Sequence, residues 1–157
     1  MRGVYTIILR LNRDSLLKIG KKEFDLKPGV YVYVGSALGA GGINARLSRH
    51  FKTFTTGATK KHWHIDSLLP FSESFASVYA LTSQKMECEL VWSLKEMGFQ
   101  TVQGFGNTDC RSRCGGHLIL VDDLNVDLRS ATQRVISAFE KIGLAAKMES
   151  PPLKTSL

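Results

Sequence analysis

The amino-acid sequence predicts a small α/β (α+β) domain on three observations: β-branched and aromatic runs broken by turn residues, amphipathic helical periods following them, and a length that a single core can hold. The chain has 157 residues and is 43% hydrophobic. That is an ordinary globular composition, needing no disulfide staples. No repeat, low-complexity tract or linker divides it, so residues 1–146 are expected as one domain and 147–157, with Pro151 and Pro152, as a loose tail.

Each element has its own signal. Residues 4–11 read as a first strand, followed by the turn set Asn12-Arg13-Asp14 and an apolar stretch at 16–19. Lys27-Pro28-Gly29 punctuates before a strand over 30–34. A glycine-rich bend then runs from Gly35 through Gly39, Gly41 and Gly42. Residues 43–54 carry a helical period, with Ile43, Leu47, Phe51 and Phe54 on one apolar stripe. A short helix is expected at 62–69, ended by Pro70, and a strand at 77–81. Thr82 or Ser83 is placed to cap the next helix and Gly98 to end it, with Met86, Leu90, Leu94 and Met97 as its buried stripe. Residues 104–116 look irregular, ahead of a strand at 117–121. A last amphipathic helix spans 129–142 through Val135, Ile136, Phe139 and Ile142, and stops at Gly143.

Composition narrows the function classes. The longest apolar run stops at Arg10, and nothing resembles a secretory leader, so a cytoplasmic protein with no membrane partner is expected. The net charge is +7. A positive field draws polyanions, and counterion release makes nucleic acid the foremost of these, against the plainer alternative of a generically basic protein. Three cysteines in a reducing compartment argue against a disulfide framework and leave thiols for packing, metal or catalysis.

Several residue groups carry chemistry. Gly3-Val4-Tyr5 opens the first strand and Tyr33-Val34-Gly35 closes a later one, so a hairpin-like pairing would bring two phenols close. Strand tyrosines are also ordinary packing residues. The glycine bend lacks the Lys-Ser/Thr of a P-loop and the spacing of a dinucleotide site; its expected role is to let the next helix N-terminus approach a phosphate. On that helix Arg46 and His50, four residues apart, flank the apolar stripe. They suit a scissile phosphate, or else belong to a solvated basic face with Arg49 and Lys52. Lys60, Lys61, His62 and His64, with Trp63 among them, form a cationic and aromatic cluster able to follow a nucleic-acid backbone. Glu87 lies near the centre of its helix's buried stripe while Glu89 turns toward solvent, and a glutamate facing the protein body needs a partner such as a metal.

Taken in order, Gly3-Val4-Tyr5, Tyr33-Val34-Gly35-Ser36-Ala37, Arg46 with His50, and helical Glu87 resemble the GIY-YIG nuclease superfamily. His62-Trp63-His64-Ile65-Asp66, Glu87-Cys88-Glu89-Leu90 and Gly104-Phe105-Gly106 with Asp109-Cys110 are similar to its small Uri-like branch, whose members are sometimes fused to endonuclease III in archaea. The likeness covers roughly residues 2–121. It implies a GIY-YIG-type sheet with an inserted hairpin, flanked by helices. It also implies a divalent-metal-dependent DNA endonuclease, acting in DNA repair beside a repair partner, with RNA left open as a substrate. In that reading Glu87, with Glu89 in reserve, holds Mg2+ or Mn2+. Tyr5, assisted by His50 or Tyr33, takes a proton from the attacking water, and Arg46 stabilises charge on the phosphate. A tyrosine of reference pKa about 10 needs the metal or Arg46 to lower it. The asparagine that the resemblance places about three turns past the glutamate has no counterpart; Phe99 or Thr101 stands there, with Asn107 as the nearest substitute.

Cys110, Cys114 and His117, joined by Cys88 from the glutamate helix, offer a Cys3His set suited to tetrahedral zinc, the alternative being reduced, partly buried thiols beside an unrelated histidine. Arg111 and Arg113 in the same loop would then project toward nucleic acid. Two rivals to the nuclease follow: a nucleic-acid-binding module without turnover, and a zinc-stabilised interaction domain.

Overall fold

The fold is described from a computed structural model covering residues 1–57, 64–106, 114–122 and 127–149. Strands β1 (Gly3–Leu11), β4 (Gly29–Ala37), β5 (Ser74–Leu81), β6 (Gln100–Thr101), β7 (Leu118–Asp122) and β8 (Lys147–Glu149) form one antiparallel sheet in the order β6-β7-β4-β1-β5-β8. β2 (Ser15–Ile19) and β3 (Lys22–Leu26) pair separately, as the hairpin inserted between β1 and β4. Helices α1 (Gly42–Thr56), α2 (Ile65–Leu68), α3 (Glu87–Glu96) and α4 (Leu128–Lys141) complete the mixed α+β architecture.

β1 is central and apolar on both sides because both faces of the sheet are covered. Val4 and Ile8 join Val32, Val34 and Val78 under Leu90 and Leu94 of α3 and Val135 and Phe139 of α4. Tyr5, Ile7 and Leu9 point the other way and join Tyr31 and Tyr33 under Ile43 and Leu47 of α1, Leu68 of α2, and Leu17 and Phe24 of the hairpin. The result is a three-layer unit with a core on each face of one sheet.

The structure corrects five local expectations. The N-terminus of α1 is not open to a phosphate: the Ile43 N–H donates to the Met1 carbonyl at 2.8 Å, and a Cβ on Gly42 would overlap the Met1 backbone. Pro70 does not end a helix at 69; it sits inside a 3-10 turn, Leu69–Phe71, near the start of which a proline loses no hydrogen bond. α3 begins at Glu87 with no side-chain cap, because Thr82 spends its hydroxyl on the Gln84 N–H and closes a local turn instead. Residues 100–101, expected as nothing regular, pair with β7 as β6. Lys147–Glu149, expected in a loose tail, pairs with β5, so the ordered domain runs to 149 rather than 146. No described helix is long and apolar enough to cross a membrane.

One glycine decides how β1 and β4 lie together. Tyr5 faces Gly35 across the ladder, and a Cβ at Gly35 would stand 2.5 Å from the Tyr5 hydroxyl and 2.6 Å from Cζ. Gly35→Ala must push the fully buried Tyr5 ring aside. The expected cost is about 1–3 kcal/mol, the range of core overpacking, measured as a lower midpoint in urea unfolding.

Candidate active site

The register that places Tyr5 opposite Gly35 also places Ile7 opposite Tyr33, so both phenols share the face covered by α1. From α1, the fully buried His50 brings Nε2 to 2.7 Å from the Tyr5 hydroxyl, and its ring stands edge-on to Tyr33 at 6.3 Å. One turn earlier, Arg46 donates to the Ser36 carbonyl at 3.1 Å and hydrogen-bonds the Tyr5 phenol. Glu87 arrives at the end of β4 from α3. Its Oε1 accepts the Ser36 hydroxyl at 2.8 Å, while its Oε2 is buried with no hydrogen-bond partner among the described residues. Glu89, two positions on, is exposed. Tyr5, Tyr33, Ser36, Arg46, Lys85 and Glu87 thus line one cavity of about 200 Å³, whose wall continues through Cys88 and His117.

Burial governs the protonation states. It holds the Tyr5 phenol well above its ordinary pKa, with Tyr33 adding to the rise and Arg46 opposing it. Tyr33 is raised for the same first reason, and Asp66 adds to it. His50 is lowered to about 3, because desolvation outweighs the pull of Asp66, and Arg49 and Arg46 push the same way as burial. A neutral imidazole therefore faces a neutral phenol, with Nε2 able to accept the Tyr5 proton.

Asp66 and Arg49 lie beneath this pair. Asp66 is wholly buried and receives both terminal nitrogens of Arg49, at 2.9 and 3.1 Å, while its Oδ1 lies 4.0 Å from His50 Nδ1. Sequence reasoning assigned no role to Asp66. The signal was a lone carboxylate in the apolar stretch Ile65-Asp66-Ser67-Leu68-Leu69, since a buried charge requires a counter-ion. Of the residues expected to track nucleic acid, Arg49 is therefore engaged inside the protein. His64 accepts the Gly106 N–H at 2.8 Å and packs on Phe24 and Phe105. Lys52 is exposed. Lys60, Lys61, His62, Arg111 and Arg113 lie outside the described residues, as do Asn107 and Cys110.

Beside Glu87, the ligand atoms of Cys88, Cys114 and His117 lie within 4.8 Å of one another, a cluster able to hold a metal ion. Three of the four residues expected around a metal are thus together, and Cys88 reaches the pair from a different element.

The chain belongs to the family described as Domain of unknown function DUF123, whose model matches residues 4–142. No curated protein and no solved structure matches it.

The His50 pair makes stability depend on pH. The folded-state value of about 3 lies below the unfolded value of about 6.5, so the unfolded chain takes up a proton that the folded one refuses. The contribution is constant above about pH 6.5 and lost progressively as the pH falls toward about 3. Between about pH 7 and about pH 5 this costs about 2 kcal/mol. Urea unfolding at both pH values should show that loss in the wild type and lack it in His50→Gln; equal losses would refute a neutral buried His50.

Proposed function

We propose that this chain is a divalent-metal-dependent endonuclease of the GIY-YIG type, hydrolysing DNA phosphodiester bonds in a repair context. The observation that carries the reading is convergence: Tyr5, hydrogen-bonded to His50 behind it, lines one small cavity with Arg46 and with Glu87, whose buried Oε2 has no hydrogen-bond partner among the described residues. The net charge of +7 supplies the long-range attraction a polyanion needs.

The residues divide the work. Glu87 lines the cavity and offers a hard oxygen donor, Oε2, buried with no hydrogen-bond partner among the described residues, while Oε1 is held by Ser36. That fits a Mg2+ or Mn2+ ion held by one carboxylate, with water and substrate phosphate completing its shell. Such an ion supplies Lewis-acid polarisation of the phosphate and stabilises the leaving oxygen. Tyr5 takes the proton of the attacking water as it gives its own to His50 Nε2, 2.7 Å away. Arg46, whose guanidinium pulls the phenol's pKa down, eases departure of that phenolic proton. The same guanidinium is placed to meet charge developing on the phosphate. The thiol–imidazole cluster on the cavity wall suits a second, softer ion, zinc, which leaves Glu87 to the hard one.

A nucleic-acid-binding module without turnover is the second reading, favoured by Phe99 or Thr101 standing where the GIY-YIG resemblance calls for asparagine.

Plasmid, branched and single-stranded DNA incubated with Mg2+ or Mn2+ should be nicked or cut. Tyr5→Phe and Glu87→Gln should each reduce the rate by about 10²-fold or more. Activity that survives both substitutions unchanged places the chemistry elsewhere. Salt-dependent DNA binding without cleavage on any substrate selects the binding module.

A further inference from the structure

We propose that one Zn2+ binds Cys88, Cys114 and His117 as a clamp that holds Glu87 in its cavity-facing position, so that the soft site governs occupancy of the hard one. This rests on the reading of Glu87 given above.

The cluster has the dimensions of a zinc site. A tetrahedral ion with Zn–S of about 2.3 Å and Zn–N of about 2.0–2.1 Å separates two sulfurs by about 3.8 Å, and sulfur from nitrogen by about 3.6 Å. Cys88 Sγ and Cys114 Sγ lie 3.6 Å apart, and Cys88 Sγ and His117 Nε2 lie 3.8 Å apart. The third pair is within 4.8 Å. A disulfide would need the sulfurs at about 2.05 Å. Two thiols and an imidazole are also the donors of a borderline-soft ion, not of Mg2+ or Ca2+. Binding releases the two thiol protons and forms two Zn–S bonds and one Zn–N bond, with no change of oxidation state.

Position in the fold gives the clamp its effect. Cys88 follows Glu87 on the first turn of α3, which lacks a side-chain cap. Cys114 and His117 lie just before β7, on backbone tied to the rest of the site. The His117 N–H donates to the Phe105 carbonyl at 2.7 Å, and the His117 carbonyl accepts the Val34 N–H at 2.8 Å, next to Tyr33. Lys95, near the other end of α3, donates to the Cys114 carbonyl at 3.1 Å. One ion would thus pin the uncapped start of α3 to the segment before β7, which is itself hydrogen-bonded to the strand that carries Tyr33. Cys88 and His117 line the same cavity as Glu87. Glu87 itself is not in the 4.8 Å set, and its Oε2 has no hydrogen-bond partner among the described residues, which leaves it to another ion.

The test is metal analysis followed by Mn2+ titration, neither of which uses DNA. Wild-type protein should carry about one zinc per chain, and Co2+ in its place should show thiolate charge-transfer absorption that Cys114→Ser loses. Mn2+ affinity, read by electron paramagnetic resonance, should weaken about 10- to 100-fold when zinc is removed, the usual effect of losing a group that orients a metal ligand. It should recover when zinc is restored. Glu87→Gln should lose Mn2+ and keep zinc. Cys114 is buried, so the half-buried Cys88 supplies a second variant, Cys88→Ser, and stripping and refilling the wild type supplies a measurement with no substitution at all. The proposal is overturned if the chain takes up no zinc, if the zinc-loaded wild type binds no Mn2+, or if zinc-free protein with an intact circular dichroism spectrum binds Mn2+ as tightly as before. An absence of DNA cleavage beside normal zinc and Mn2+ binding would count against the nuclease reading and support the clamp.

Discussion

The Tyr5 ring lies directly against the backbone of Gly35, and this contact sets the geometry of everything around it. β1 and β4 pair antiparallel over their whole length, so the ladder alone would leave a side chain opposite Tyr5. Glycine removes it. The phenol can then lie along the strand and meet His50, which hangs from a helix packed on the same face. With that hydrogen bond the sheet and α1 become one unit, and Arg46, a turn away, is carried to the end of β4. Ser36, next to Gly35, is the hinge between the two faces. Its carbonyl receives Arg46 and its hydroxyl reaches Glu87 of α3.

A buried polar group must find a partner or lose its charge, and the two sides of the site solve this differently. On the α1 side, Arg49 meets buried Asp66 with two hydrogen bonds, and His50 gives up its proton because desolvation, helped by Arg49 and Arg46, outweighs Asp66. On the α3 side, Glu87 has one oxygen satisfied by Ser36 and one with no partner among the described residues. An unmet acceptor in a close-packed wall costs on the order of 1–3 kcal/mol unless something binds it. Glu87 is a wall residue of the cavity, so a cation entering there would need only a small shift of the carboxylate to meet that oxygen.

Much of this was legible in the residues, for identifiable reasons. β1 and β4 announce themselves because a central strand covered on both faces is apolar nearly throughout, as in Val30-Tyr31-Val32-Tyr33-Val34. The burial of His50 and Glu87 is readable from helical period: His50 flanks one apolar stripe, Glu87 lies near the centre of another, and both are buried. Short strands were invisible. β6 and β8 have two and three residues and owe their extended form to β7 and β5, not to their own side chains. The start of α3 was misplaced because Thr82 has capping chemistry but uses it on a turn. Asp66 was missed as a site residue because its partner lies 17 positions away, whereas the expected grouping of Cys88 with Cys114 and His117 is present.

β8 has a consequence for how the molecule behaves beside copies of itself. β5 pairs with β1 on one side, and without Lys147–Glu149 its other side would present unpaired amides and carbonyls to any passing strand. A three-residue strand covers part of that row and is itself too short to template another long pairing. The sheet's boundary is thereby sealed by a segment that follows the last helix in sequence, and colloidal behaviour rests on residues remote from the cavity. A chain cut at 146 would keep every residue of the candidate site and lose the guard on its edge.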